Sequence, residues 1–299
     1  MRAKVISVGN ISLGGTGKTP FTIMLTRHFL EQNKKVCILS RGYRGKAGLD
    51  TTVISDGSEI KLSPPEAADE PYMMAKACPG AVVITGKERL KSAQVAEERF
   101  DPDIIILDDG FQHKRMPRDV DILLMDQKRP VSTGLIFPFG YLREFPRGIQ
   151  RADIVVFTRA IDENIEKNIR HLVKDKPIFF SKIRFKGIYQ NGKEVDLQEF
   201  GRKKIFAFAG IASPMKFFRF MKDQNLNIGR TRPFRDHADY TDKVLNSIEE
   251  AAERINAEMI LTTEKDYVKL PDERKHKYAY AAIDVELNDL NGFLNALNI

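Results

Sequence analysis

Cysteine is scarce in this 299-residue sequence: Cys37 and Cys78 are the only two, and neither has a second thiol at metal-ligand spacing. A disulfide framework is therefore excluded, and a reducing compartment is the natural reading. No apolar run approaches the ~20 residues that span a bilayer. Met1-Arg2-Ala3-Lys4-Val5-Ile6 leads straight into a strand pattern, so no signal peptide is expected. Internal repeats and low-complexity segments are missing too. With 42% hydrophobic and 30% charged residues, 20 Gly and 14 Pro, the chain is neither disordered, collagenous nor coiled coil, and its composition is that of a globular enzyme. Its formal charge of +7 points to an acidic partner, whether phosphate, nucleic acid or anionic lipid. Composition does not choose among the three.

What is present is alternation. Short apolar runs interleave with amphipathic stretches of helical length, the pattern of βαβ units and a parallel sheet. Strands are predicted over 5–8, 36–39, 81–84, 104–107, 121–125 and 154–157. The first helix, over 18–31, places Phe21, Met24, Leu25 and Phe29 on one face. Residues 51–62 read as a polar hairpin turning at Asp56-Gly57, and helices near 71–78 and 87–99 flank the third strand. Residues 177–200 break into short strands with polar turns such as Gln190-Asn191-Gly192-Lys193. A fresh α/β pattern opens at 205–210, with helices near 213–223, 241–256 and 288–297 and a strand over 259–262. The expected organisation is an α/β nucleotide-binding domain over 1–180, a two-stranded linker over 181–200 and a smaller α/β lobe over 201–299.

The first strand and first helix are joined by Ser12-Leu13-Gly14-Gly15-Thr16-Gly17-Lys18-Thr19. Glycines at this junction let backbone N–H groups curl around phosphates, and the helix N-terminus adds its positive dipole end. Lys18 is placed to reach the β- and γ-phosphates and the Thr19 hydroxyl to bind Mg²⁺. The strict P-loop pattern has Gly where this chain has Ser12. Ile104 to Leu107 then run into Asp108-Asp109-Gly110. A carboxylate at the C-terminal end of a buried parallel strand faces the ligand crevice, so Asp108 is a candidate Mg²⁺ ligand; the alternative is a plain turn after a strand. These features point to ATP or GTP binding without naming the reaction.

Further segments narrow the choice. Ser7-Val8-Gly9-Asn10 precedes the glycine loop, and Leu39-Ser40-Arg41-Gly42-Tyr43 and Asp69-Glu70-Pro71-Tyr72 follow it. Then come Leu107-Asp108-Asp109-Gly110-Phe111-Gln112-His113, Leu142-Arg143-Glu144, Asp236-His237-Ala238-Asp239-Tyr240 and Thr262-Thr263-Glu264-Lys265-Asp266. In this order, over nearly the whole chain, they resemble the tetraacyldisaccharide 4'-kinase (lipid A 4'-kinase) family of Gram-negative bacteria. The resemblance implies ATP and Mg²⁺, transfer of the γ-phosphoryl group to the 4'-hydroxyl of a tetraacylated glucosamine disaccharide 1-phosphate, and lipid IVA as product. It implies two α/β/α lobes joined by a two-stranded linker, with the active site in a cleft. It also implies a membrane-associated N-terminal segment before the P-loop strand, and this sequence begins at that strand.

Residue roles follow from the same resemblance. Asp69 matches the general base, although Asp69 or Glu70 before Pro71 would also serve as an N-cap. His237 matches a histidine supporting that base across the cleft, with Asp236 fixing its tautomer. Arg41, Arg89, Lys114, Arg115, Arg118 and Arg143 are candidates for phosphate contact, of which Arg89 and Arg143 match family positions. Glu144 is a further Mg²⁺ candidate, His113 a residue ordering the acidic turn, and Lys265-Asp266 a nucleobase reader of low weight. The stretch Phe217-Phe218-Arg219-Phe220-Met221-Lys222 fits either a membrane-surface helix or one packing Phe217, Phe220 and Met221 into its own lobe. A partition- or nitrogenase-type ATPase is the rival reading; that class has Lys where Leu13 stands. Nucleic-acid reading motifs are missing and the basic residues are dispersed. The expectation is a monomeric kinase, peripheral on the anionic cytoplasmic face of the inner membrane.

Overall fold

The computed structural model describes residues 1–42, 45 and 51–298, without the side chain of Asn168; Tyr43 of the second motif lies outside them. The chain forms two compact units, Met1–Arg184 with Val285–Ile299, and Phe185–Asp284. In the first unit come β1 (Lys4–Gly9), α1 (Lys18–Glu31), β2 (Val36–Ser40), β3 (Thr52–Asp56), α2 (Asp69–Ala77) and β4 (Val82–Thr85). They are followed by α3 (Arg89–Phe100), β5 (Ile104–Asp108), β6 (Val120–Asp126), β7 (Ile154–Thr158), α4 (Lys167–Val173) and the start of β8 (Ile178–Gln190).

The strands lie in the order β3-β4-β2-β5-β1-β6-β7-β8, parallel except that β3 runs antiparallel to β4. Successive side chains alternate between faces, and both faces are covered. From β1 and β5, Ile6, Val8, Ile104 and Ile106 join Phe21, Leu25 and Phe29 of α1 in one core, while Val5, Ile105 and Leu107 join Ala93 and Ala96 of α3 in another. A continuous apolar run thus becomes the axis of an α/β/α layer. The hairpin expected over 51–62 is present: Ser55 bridges Ile60 across the Asp56-Gly57 turn.

The second unit contains the end of β8, then β9 (Lys193–Glu194), α5 (Leu197–Arg202), β10 (Ile205–Ala209), α6 (Pro214–Asp223) and β11 (Ile228–Pro233). It continues with α7 (Asp242–Glu253), β12 (Met259–Thr263), α8 (Glu264–Tyr267) and most of β13 (Tyr278–Leu287). Its parallel strands run β11-β10-β12-β13. Strand β11 is not predicted from sequence, because Ile-Gly-Arg-Thr-Arg-Pro is the composition of a polar sheet edge rather than a core strand. Strand β9 pairs with the end of β8 across Asn191 and Gly192, both at positive φ (53° and 75°), as a tight hairpin requires. The chain passes between the units within β8, after Arg184, and within β13, after Asp284. Helix α6 buries Phe217, Phe218 and Met221 in its own unit, with Phe220 packed partly against the same core, as the packing alternative expects. Among the described residues, no helix is long and apolar enough to cross a membrane.

Beyond Val285 the chain belongs to the first unit again, and its last helix, α9 (Leu290–Leu297), packs there rather than in the lobe over 201–299 where sequence places it. Phe293 is the reason. Its ring meets Phe21 at 5.7 Å and Phe179 at 5.4 Å, both edge-on, and it is fully buried. Phe293→Ala is expected to lower unfolding free energy by about 3–5 kcal/mol, measured by denaturant titration.

Glu249 of α7 shapes the acid limit of the second unit. Burial alone would raise its carboxyl, but hydrogen bonds from Lys277, Tyr278 and Arg274 bring it down from 4.5 to about 2. A depressed folded-state value contributes stability that is fully present above the unfolded value and is lost as pH falls through about 2. Glu249→Gln is therefore expected to lower Tm at neutral pH by the equivalent of roughly 2–3 kcal/mol. The gap should close toward pH 2, as thermal scans at several pH values would reveal.

Candidate active site

The register of the central strands assembles the site. Val8, one residue before the end of β1, pairs with Asp108, the last residue of β5, so the glycine loop and the acidic turn lie side by side despite a separation of about 100 residues in sequence. Within the loop, Gly14 and Gly17 take φ of 97° and 85°, a region where an L side chain is strained even though a Cβ would meet nothing there. Gly17 is the N-cap of α1 and its carbonyl accepts from Phe21 N. Lys18 and Thr19 thus open the helix where its N–H groups are unpaired and its dipole is positive. Asn10 Nδ2 donates to the buried Thr16 Oγ1 at 2.8 Å and pins the loop from below. Leu13 N donates to Tyr141 O and Arg143 N to Ile11 O, each at 2.7 Å, so residues 141–143 brace its entry. Arg159 donates to the Gly15 carbonyl and pairs with Asp126 at 2.7 Å.

Lys18 Nζ lies 3.6 Å from Asp109 Oδ1. Arg143 Nη1 donates to both Asp109 oxygens at 2.8 Å. Burial works against ionisation of Asp109, but Lys18 and Arg143 hold its carboxyl below the usual range. Asp108 is the opposite case. It is buried, accepts from the Thr22 and Ser40 hydroxyls, both at 3.3 Å, and is pushed up to about 7 by burial and by the charges of Glu70 and Asp109. The charge of Glu70, in the first turn of α2, reaches Asp108, so the start of that helix lies within electrostatic range of the acidic turn. The N-cap of α2 is Ala68, two residues earlier than a helix opening at Pro71, so capping does not account for Asp69.

Arg89 is buried at the start of α3. Its Nη1 donates to the Gly86 carbonyl, while Nε and Nη2 have no partner among the described residues. Burial lowers its pKa to about 10, against the pull of Asp108 and Asp109, so it stays charged at neutral pH. A buried guanidinium with open donors is an anion site awaiting its anion. Arg41 is close enough to weaken it further.

Other assignments change. Arg118 does not face a phosphate: it donates to the carbonyls of Gly110 and His113 and pairs with Asp121 at 3.2 Å, holding the acidic turn. Glu144 is engaged by Arg151 at 2.8 and 2.9 Å and by Gln112 at 2.9 Å, which makes it a brace rather than a ligand turned toward a metal. Lys114 and Arg115 are both exposed beyond the acidic turn, and the charge of Lys114 adds to the forces that lower the Glu144 carboxyl. Burial, helped by the charges of Arg89, Arg41 and Arg118, lowers the pKa of His113 against the pull of Asp109. Sequence reasoning misses Gln112, which also donates to Asn10 O at 2.7 Å and so ties the acidic turn to the loop. It misses Arg159 as well, and nothing in the local sequence marks that residue.

His237 lies in the second unit, at positive φ (58°), with its N–H shared between Gly210 O and Asp236 Oδ1. Its Nε2 is 3.3 Å from Lys265 Nζ and 3.8 Å from Asp236 Oδ1, the latter an ion-pair separation rather than a hydrogen bond. Asp266 is buried, accepts from Gly210 N and Thr263 Oγ1 and pairs with Lys269 at 2.9 Å. That buried scaffold role excludes it as a nucleobase reader.

For Mg²⁺ the donor set fits. Thr19 offers a hydroxyl and Asp108 a buried carboxylate, both hard oxygens. Among the described residues no group of three or more His, Cys, Asp or Glu is arranged to hold a metal alone. That suits an ion whose remaining ligands come from nucleotide phosphates and water.

A phosphate-cradling loop at the end of one central strand and a buried acid at the end of its neighbour place the chain among the P-loop nucleoside-triphosphate enzymes. The comparison with known proteins is sharper. The family model described as LpxK, tetraacyldisaccharide-1-P 4'-kinase, matches residues 1–298, and the chain belongs to that family. It is 39% identical over 272 residues to the tetraacyldisaccharide 4'-kinase of Desulfotalea psychrophila, covering 89% of this chain and 78% of that one. To the protein of the same name from Syntrophus aciditrophicus it is 38% identical over 298 residues, covering 95% and 80%. The crystal structure of LpxK from Aquifex aeolicus in complex with ATP superposes with a TM-score of 0.83 at 34% identity, covering 100% of this chain and 88% of that one.

Proposed function

We propose that this kinase binds ATP on the loop Ser12–Thr19 and transfers its γ-phosphoryl group to the 4'-hydroxyl of a tetraacylated glucosamine disaccharide 1-phosphate, the step that yields lipid IVA in lipid A biosynthesis. The observation that carries the assignment of roles is Arg89, a buried cation with two open donors that feels the charges of Asp108 and Asp109. Phosphate oxygens are the partner that completes it. Lys18 and Arg89 then meet the charge spread over the transferring group, where preorganised donors are worth most. Arg143 keeps Asp109 ionised, and Asp109 in turn positions Lys18. Thr19 and Asp108 hold Mg²⁺, which when bound neutralises charge on the β- and γ-oxygens. Asp69 accepts the 4'-hydroxyl proton as the new P–O bond forms and the bond from the γ-phosphorus to the β–γ bridging oxygen breaks, leaving ADP.

Acyl chains keep the acceptor in a bilayer, so the chain works at the anionic inner-membrane surface, on the side that holds ATP. The test is acceptor specificity. A disaccharide 1-phosphate lacking only the 4'-oxygen should receive no phosphate, while the natural acceptor gains one at that position, assigned by phosphorus NMR of the product. Equal labelling of both would remove the 4'-kinase assignment.

A further inference from the structure

Between β6 and the residues that brace the glycine loop lies a loop whose outer surface has no structural explanation. Leu135, Phe137, Phe139, Tyr141 and Phe145 are 51%, 65%, 85%, 63% and 64% exposed. A concentration of apolar surface like this on one short loop marks an interaction site. The loop is built rather than slack. Phe137 N donates to Leu142 O at 2.8 Å, Leu142 N to Leu135 O at 3.1 Å and Gly140 N to Ile136 O at 3.0 Å. A Cβ on Gly140 would collide with the Leu135 carbonyl, so the turn requires glycine. Ile136 and Leu142 point inward, onto the core that contains Ile11 and Phe111. With the inner positions filled by those two, the aromatic rings are left facing out.

We propose that this aromatic loop is where the chain enters a lipid bilayer, and that it seats the phosphate loop at the membrane surface. The proposal rests on the reading above that the acceptor is a membrane-held lipid. Three observations select a bilayer as the occupant. First, Phe and Tyr on a tight turn suit the interfacial zone, where rings bury their faces and a phenol stays wet. Second, the flanks are cationic: Lys128, Arg129 and Arg147 stand between Gln127 and Gln150, where Arg143 is bound to Asp109 and the single acid, Glu144, to Arg151. Lys128, Arg129 and Arg147 are all exposed. Anionic headgroups complement that charge, whereas a second copy of this +7 chain would bring the same cations against it. Third, the loop is bonded to the site, through Tyr141 O to Leu13 N and through Arg143, which reaches Asp109. Lipid engagement at Phe139 therefore fixes the position of the glycine loop relative to the bilayer.

The sequence contains no tryptophan, so Phe139→Trp gives a single reporter. With vesicles of phosphatidylglycerol and phosphatidylethanolamine, its emission should shift to the blue and be quenched by brominated acyl chains, less so at high salt. Met215→Trp, exposed on α6, should not respond. The double variant Phe137→Ser/Phe139→Ser should bind vesicles about tenfold more weakly or worse. It should also lose transfer to a vesicle-borne acceptor while keeping wild-type turnover on a short-chain acceptor dispersed without a bilayer. Unshifted emission from the Phe139→Trp protein overturns the proposal, and so does undiminished vesicle binding by the double variant. A shift that follows protein concentration without vesicles overturns it in favour of a second copy. A wild-type chain that binds through this loop yet phosphorylates neither acceptor contradicts the kinase reading alone.

Discussion

Lys18→Ala is expected to lower kcat for phosphoryl transfer by two to three orders of magnitude, the ~3–4 kcal/mol that one preorganised donor contributes where charge develops. The ammonium is held at the opening of α1 by its ion pair with Asp109, so it arrives at the transferring group already desolvated and aimed. Removing it leaves Asp109 with Arg143, whose two 2.8 Å contacts keep that carboxylate paired. The fold should therefore survive, with Tm nearly unchanged. Part of the loss should appear as weaker ATP binding, because the same ammonium also meets ground-state phosphate. Near-normal turnover in a folded Lys18→Ala protein would remove the glycine loop from the reaction.

Asp69→Asn is expected to reduce kcat by ~10²–10⁴-fold with little change in KM for ATP, since a sugar hydroxyl is a poor nucleophile at neutral pH without a base. The amide preserves size, and the N-cap is Ala68, so α2 should persist; loss of one negative charge at its first turn costs about 0.3–1 kcal/mol. The alternatives nearby are less suited. Asp109 is held ionised by two cations, and Asp108 is buried under the Thr22 and Ser40 hydroxyls. An active Asp69→Asn enzyme would nevertheless move the search for the base to those two. Circular dichroism alongside the kinetics separates a lost base from a lost helix.

Much of the fold and site is legible because local patterns and the parallel sheet agree. Buried strands are continuous apolar runs, and Gly14 and Gly17 stand where left-handed backbone is needed. Asp108 can be placed at the site because its strand is the neighbour of β1 in the sheet. What escapes depends on distant packing. The Arg159 contact to Gly15 joins residues 144 apart, and no spacing rule reports it. Glu144 resembles a metal ligand in sequence because the Arg151 that occupies it sits seven residues on, at the end of a short 3₁₀ turn (Pro146–Arg151) that no apolar periodicity announces. Chain order assigns helix α9 to the preceding lobe, whereas Phe293 packs between Phe21 and Phe179 of the first unit. Strand β11 is hidden by its polar edge composition.

The most direct measurement is transfer of labelled γ-phosphate from ATP to the tetraacyl disaccharide 1-phosphate in mixed micelles, with wild-type, Lys18→Ala and Asp69→Asn proteins run side by side. Stoichiometric label on the 4'-oxygen with wild type, and its loss by at least two orders of magnitude in both folded variants, is the expected result. ATP hydrolysis without lipid labelling, or labelling that both variants sustain, would contradict it.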